Sequence, residues 1–350
     1  MSGTRQIPAG CFFWPERLHT WQPGEVVRMY HDGFAGAWRD DAARSARHVA
    51  LAESGGHPFA SQCTRHLAGS GAGKLSLLFP AVESLFPTAF PGAAQERGDC
   101  VSHSSKNAAL ASLCSEIVFG QPDEITGKRE GPPEVDAVGE KNGVLSTEYL
   151  YWWRGYNGDG WDCDTAAEMI RKEGMLARRA YPDLGLDLTK YSGRLAGQYG
   201  SSKPPADIAA IGRMHFVRTT TDAETLEEIR DLIANGYGIS SCGSEGFSDS
   251  RDENGVAVRL GSWAHAMPYW GFDDREETHR IYKGPLVLVG NSWGQWNSGP
   301  RRIRGTQLDI PHGCFWARWR DVERRRAIAY SSIAGWPARK LPDYGVSIAG

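Results

Sequence analysis

The hydrophobic and polar positions fall into a few stretches with a clear period. From Cys100 to Val118 the apolar residues Val101, Leu110, Leu113, Cys114, Ile117 and Val118 recur mostly at helical spacing. Asp99 stands where an N-cap belongs and Gly120 where a helix stops, so the pattern predicts a helix whose first turn carries Cys100. Residues 222 to 234 predict an amphipathic helix capped by Thr221 or Asp222. Its first turn is acidic, its inner face is Leu226, Ile229, Leu232 and Ile233, and Gly236 closes it. Helices are also expected over 35–53, over 145–153 with several aromatics, and over 164–173, where Gly174 ends the run. Tyr237–Cys242, the aromatic alternation after His265 and the continuous apolar run Leu286–Val289 predict strands.

Between these stretches the chain is punctuated by turn formers. Residues 1–34 read as an irregular arm rich in aromatics (Phe12, Phe13, Trp14, Trp21, Tyr30), and Gly69–Gly73 as a loop. Phe79-Pro80, Phe86-Pro87 and Phe90-Pro91 predict an extended approach to Cys100. Residues 121–143 and 183–206 read as loops, the tail from Pro337 as surface, and the arginines at 301, 302, 304 and 324–326 as a solvated face. Two apparent ion sites fail on spacing. In GSGAGK (69–74) Leu75 stands where a phosphate loop needs Ser or Thr. In GYNGDGWDCD (155–164) Asp162 replaces the required glycine of a calcium loop and Trp161 an oxygen ligand.

Composition narrows the class. The chain has 350 residues, 41% hydrophobic and 23% charged, ordinary for one large or two modest soluble globular domains. A net charge of −3 argues against general nucleic-acid binding. No apolar run approaches the roughly 20 residues of a membrane helix. The N-terminus lacks the apolar core of a signal peptide, so a cytoplasmic location is expected. Seven cysteines without a CxxC pair indicate neither a zinc ribbon nor a dense disulfide framework, and neither metal nor cofactor is expected.

Cys100, His265 and Asn291 carry the candidate chemistry. A thiol at a helix N-terminus feels the positive end of the dipole, which favours thiolate. Cysteine, histidine and asparagine in that chain order suit a nucleophile, a base and an orienting group that meet in space. The segments that hold them, GDCVSHS (98–104), WAHAMPYWGFD (263–273) and VGNSWG (289–294), resemble the nucleophile segment, histidine strand and asparagine motif of the papain-like cysteine protease family. LSTEYLYWW (145–153) and DTAAEMIRKEGMLARRAYP (164–182) are similar to two further segments of that family. Together the matches cover roughly residues 90–330.

The resemblance implies an α+β, papain-like two-lobed fold. A helical lobe would span about 98–210 and a strand-rich, β-barrel-like lobe about 211–336, with the active-site cleft between them. Residues 1–90 would be an N-terminal extension without the family's propeptide pattern, and 337–350 a tail. Residues 121–143 and 297–312 look like insertions, with Gly313–Trp319 as a strand. The family's extra cysteine before the nucleophile is absent from Gln95-Glu96-Arg97-Gly98-Asp99, which points to a reducing compartment.

By the same resemblance Cys100 is the nucleophile, His265 the base and Asn291 its orienting partner, shielded by Trp293. The oxyanion donors are the Cys100 backbone N–H and Gln95, which stands one residue closer than is usual. Gly158 and Gly160 would pair with the substrate backbone. Trp263, Ala264 and Ala266 would border the pocket for the side chain two before the scissile bond, with Ala264 hinting at an apolar preference. His103 is assigned to packing on the helix surface. The implied function is a cysteine endopeptidase acting on a peptide or protein substrate without cofactor. Two alternatives stand beside it: a structural or docking component of a larger assembly, such as a viral particle, that engages a partner through the aromatic arm; and an acyl-transfer enzyme of amidase or transglutaminase type.

Overall fold

A computed structural model of the chain describes residues 68–119 and 131–336. The expected helix over 35–53, the aromatic arm, Gly120 and the tail lie outside these residues, as does the start of the polar loop at 121–143. In chain order the elements are β1 (Leu75–Leu77), α1 (Phe79–Leu85), α2 (Cys100–Phe119), α3 (Ala137–Lys141), α4 (Thr147–Trp152), α5 (Cys163–Glu173), β2 (Ala180–Tyr181) and β3 (Leu186–Asp187). They continue with α6 (Gly193–Gly200), α7 (Ala206–Gly212), β4 (Thr220–Ala223), α8 (Leu226–Ala234), β5 (Gly238–Arg251) and β6 (Ala257–Asp273). The last are α9 (Glu276–Tyr282), β7 (Leu286–Gly290), β8 (Cys314–Arg318), α10 (Trp319–Val322) and β9 (Arg326–Tyr330). Helices dominate the first part and an antiparallel sheet the second, which makes the chain an α+β protein.

The sheet has seven strands in the order β4-β9-β5-β6-β7-β8, with β1 added on β6. Its centre is the long β5–β6 hairpin, and its most apolar strand is Leu-Val-Leu-Val-Gly of β7, buried at every position between β6 and β8. α2 packs across β5 and β6 and is buried on nearly all sides, Glu116 being an exposed exception. Its Ser and Ala residues permit this, because small side chains let backbones approach closely. A Cβ on Gly238 would lie 2.0 Å from the Ala108 carbonyl oxygen, so β5 begins with the residue that lets it meet the helix. The helical part has its own smaller core of Tyr149, Trp152, Leu176, Tyr181, Leu186, Leu188 and Ile208.

Several expectations are corrected. Phe79-Pro80 opens α1 rather than an extended segment, since proline in a first turn forfeits no helical hydrogen bond. β1 pairs Leu75–Leu77 with Gly271–Asp273, so at least this part of the 1–90 extension belongs to the sheet. Residues 183–206 contain α6, capped by Ser192 and held by Tyr199 stacked on Trp152 at 3.8 Å. The polar stretch before Val144 contains α3, capped by Asp136. Thr221 and Asp222 lie in β4, and α8 starts later, at a capping box formed by Thr225 and Glu228. The Gly69–Gly73 loop is a loop as expected. Its N–H groups are taken by carboxylates of the chain itself: Gly69 and Gly71 donate to Asp231, and Gly73 to Asp274.

Cys163 and Cys242 form a disulfide that joins α5 to β5, with Cα atoms 6.6 Å apart. Among the described residues no helix is long and apolar enough to cross a membrane.

Candidate active site

Cys100 opens α2. The turn before it is tied by Asp99 N–H to the Arg97 carbonyl at 2.9 Å, and the Asp99 carbonyl accepts the first helical bond, from His103 N–H at 3.1 Å. The Asp99 side chain does not cap the helix as expected. It accepts from the Tyr191 hydroxyl at 2.8 Å instead. The backbone N–H groups of Ala266 and Val101 lie near enough to the Cys100 thiol to favour its charged form. The thiol therefore lies near the peptide unit that follows His265.

His265 sits on β6, 1% exposed. Its Nε2 meets Asn291 Oδ1 at 2.8 Å. An amide oxygen only accepts, so Nε2 carries the proton and Nδ1 the lone pair. Asn291 follows directly on β7, and its own N–H donates to the Gly313 carbonyl at 3.2 Å. The ring of Trp293 lies 4.9 Å from that of His265, with Trp263 4.7 Å and Trp296 5.4 Å from Trp293. These indoles pack around the His265–Asn291 bond.

Gln95 is buried and hydrogen-bonded through both ends of its amide. Its Nε2 donates to the Arg97 carbonyl at 2.5 Å, and its Oε1 accepts from Ser292 Oγ at 2.6 Å. Its backbone N–H also donates to the Ser292 carbonyl at 2.6 Å. Ser292, which the sequence offered only as part of a motif, thus ties the nucleophile segment to Asn291. Of the expected substrate glycines, Gly160 spends its N–H on the Gly98 carbonyl and its carbonyl on Arg154 and the Tyr156 hydroxyl, which removes it from backbone pairing with a peptide. Gly158 is exposed on the same turn. Trp263 and Ala266 are buried and Ala264 is half-buried beside His265.

Electrostatics correct the thiolate expectation. Burial pushes the Cys100 thiol up to about 11, against the donors Ala266 and Val101, and the neighbouring Asp99 charge adds to the rise. Burial pulls His265 down to about 4, against the hydrogen bond that its Nε2 donates to Asn291. Desolvation outweighs the helix dipole, so burial favours the thiol over the thiolate at Cys100 and the neutral ring at His265. His103 is also corrected. It is buried rather than on the helix surface, packed edge-on to Tyr191 at 4.9 Å with its Nε2 3.7 Å from Asp99 Oδ1.

Arg325 and Arg326 are not a solvated face. Arg326 pairs with Asp164 and Asp222. The Arg325 side chain is fully buried behind the histidine strand, where it pairs with Glu245 at 3.3 Å and donates to the His265 carbonyl at 2.6 Å. Nothing local in a run of three arginines marks one of them as buried. Among the described residues no group of three or more His, Cys, Asp or Glu side chains is arranged to hold a metal ion.

Asp99 yields a pH prediction. Burial holds its carboxyl up at about 7, against the Tyr191 hydroxyl that donates to it, whereas an unfolded aspartate titrates near ~4. Between those values the folded chain keeps a proton that the unfolded chain has lost. Asp99 therefore makes stability fall as pH rises through this window. Asp99→Asn keeps the Tyr191 acceptor and removes the titration. Urea midpoints measured at both ends of the window should fall less with rising pH in the variant than in the wild type, and an equal fall would refute the assignment.

No protein-family model matches the chain, and no curated protein sequence matches it. Solved structures do resemble it. Xylellain, a cysteine protease from Xylella fastidiosa, has 14% sequence identity and a TM-score of 0.41, over 69% of this chain and 82% of that one. Procathepsin B S9 from Trypanosoma congolense has 13% identity and a TM-score of 0.39, over 76% and 77%. Digestive procathepsin L 3 of Tenebrio molitor larval midgut has 14% identity and a TM-score of 0.38, over 89% and 98%. At such scores the likeness carries no functional weight, which rests on the residues of the site.

Proposed function

We propose that the chain is a papain-like cysteine peptidase that hydrolyses peptide bonds through Cys100, His265 and Asn291. The observation that carries this reading is the His265–Asn291 hydrogen bond of 2.8 Å under Trp293, with Cys100 at the start of the helix that packs across the histidine strand. Each group suits one step. Nδ1 of His265 takes the Cys100 proton as Sγ attacks the scissile carbonyl carbon, giving a tetrahedral oxyanion and an imidazolium. Asn291 holds the ring through both states without adding a charge. The oxyanion is met by the Cys100 backbone N–H at the helix start, with Gln95 as the candidate second donor. The imidazolium returns its proton to the leaving amine and an acyl-thioester remains. His265 then deprotonates a water, which releases the acid and restores the thiol.

Burial disfavours the charged form of each group, so in this reading proton transfer accompanies attack rather than preceding it. The same burial favours a second reading, a papain-fold structural component that keeps the three residues without turnover. The two separate by mass spectrometry of a diverse pool of unstructured peptides, incubated with the chain before and after alkylation by iodoacetamide. Cleavage that disappears when the label is mapped to Cys100 is the expected result. Peptides left intact by the untreated chain would overturn the peptidase reading in favour of the structural one.

A further inference from the structure

We propose that Arg325 is a positioning residue for His265, fixing the main chain of the histidine strand from behind while Glu245 balances the charge it brings there. This rests on the reading of His265 as the base. The β5–β6 ladder pairs Gly243 with His265 and next pairs Glu245 with Ser262, so the register slips immediately beside the histidine. At that break Arg325 serves as a substitute for ladder partners. Nη2 donates to the His265 carbonyl at 2.6 Å and to the Ser241 carbonyl at 3.3 Å, spanning β6 and β5. Nε donates to Ser241 Oγ at 3.2 Å, and Nη1 to Glu245 Oε2 at 3.3 Å.

Both strands are built around this side chain. A Cβ on Gly243, the residue paired with His265, would lie 2.7 Å from Arg325 Cγ and 2.4 Å from Glu245 Oε2. Ser241 Oγ passes the contact on by donating to the Met267 carbonyl at 2.9 Å. A rigid guanidinium fork reaches three directions at once, which a lysine ammonium on a flexible stem does not reproduce. The charge matters as well as the shape. Arg325 lowers the proton affinity of His265, second to burial and the Asn291 bond, and its field also reaches Cys100 and the Tyr269 hydroxyl. Glu245 is its ion-pair partner in this buried space.

The test is the titration of the His265 ring, followed by NMR of histidine-labelled chain and assigned by its absence in His265→Asn. The wild-type ring is expected to titrate near pH 4. Arg325→Met should move the midpoint up, and Glu245→Gln should move it down, each by about 0.5–1 pH unit. Where Arg325→Met does not fold, the paired variant Arg325→Met with Glu245→Met removes both charges. An upward shift is expected there too, because the Arg325 charge bears on the His265 ring and lowers its proton affinity. A purely structural pair would lower the stability of both single variants without shifts of opposite sign, and such a result overturns the proposal. The titration needs no peptide cleavage, so a chain that leaves the peptide pool intact would refute the peptidase reading while the shifts still decide the role of Arg325.

Discussion

Cys100→Ala is expected to abolish peptide cleavage, lowering turnover by about 10⁴–10⁶-fold, and to leave the fold intact. The size follows from the loss of the nucleophile. Without a sulfur no thioester forms, and neither His265 nor the helix N-terminus replaces it. The helix does not depend on that atom. Its first turn is set by the Asp99 carbonyl, and the tie to the strand-rich part runs through Gln95 and Ser292. Alanine removes a small buried group without stranding a charge. Stability should therefore change by about 1 kcal/mol or less. Turnover is followed on the peptides identified from the pool, and stability by urea denaturation. Undiminished cleavage would move the activity to another residue. A large loss of stability would make Cys100 a structural cysteine.

What was legible in the sequence was what a local pattern fixes. The start of α2 at Cys100, the placement of β7 and the segments holding His265 and Asn291 follow from period and motif, and each sits where it was expected. What was not legible depends on partners far away in the chain. Arg325 reads as one member of a solvated run because Glu245 lies 80 residues earlier and Ser241 84 residues earlier. α6 was missed because glycine recurs through its short run, Gly-Arg-Leu-Ala-Gly-Gln-Tyr-Gly, and offsets its helix formers; packing such as Tyr199 on Trp152 holds it. The cap of α8 was a different failure, since the Thr225–Glu228 box is local but two earlier polar residues offered a competing start. The thiolate expectation failed on magnitude: the dipole argument is sound, and the burial of Cys100 is the larger effect.

The largest effect on stability is expected from Arg178→Ala, a loss of about 3–5 kcal/mol. Arg178 and Glu148 are both fully buried and meet at 2.9 Å. The pair joins three segments of the helical part. Arg178 also donates to the Leu188 carbonyl at 3.2 Å and to Thr147 Oγ1 at 3.3 Å, while Glu148 accepts from Ser192 N–H, at the cap of α6, at 2.8 Å. Alanine would leave the Glu148 carboxylate buried without its counter-ion, and that desolvated charge, rather than the lost contact, dominates the cost. The damage should spread toward the nucleophile. The Arg178 guanidinium lies over the ring of Tyr191 at 5.7 Å, and Tyr191 is the residue that donates to Asp99 and packs against His103. Arg178→Met combined with Glu148→Gln should recover much of the loss, because the charge left behind is then neutralised and the volume is partly kept. Urea denaturation of the single and paired variants measures both effects. A single-variant loss below about 1 kcal/mol would mean that water reaches Glu148 and that the pair does not hold the helical part together.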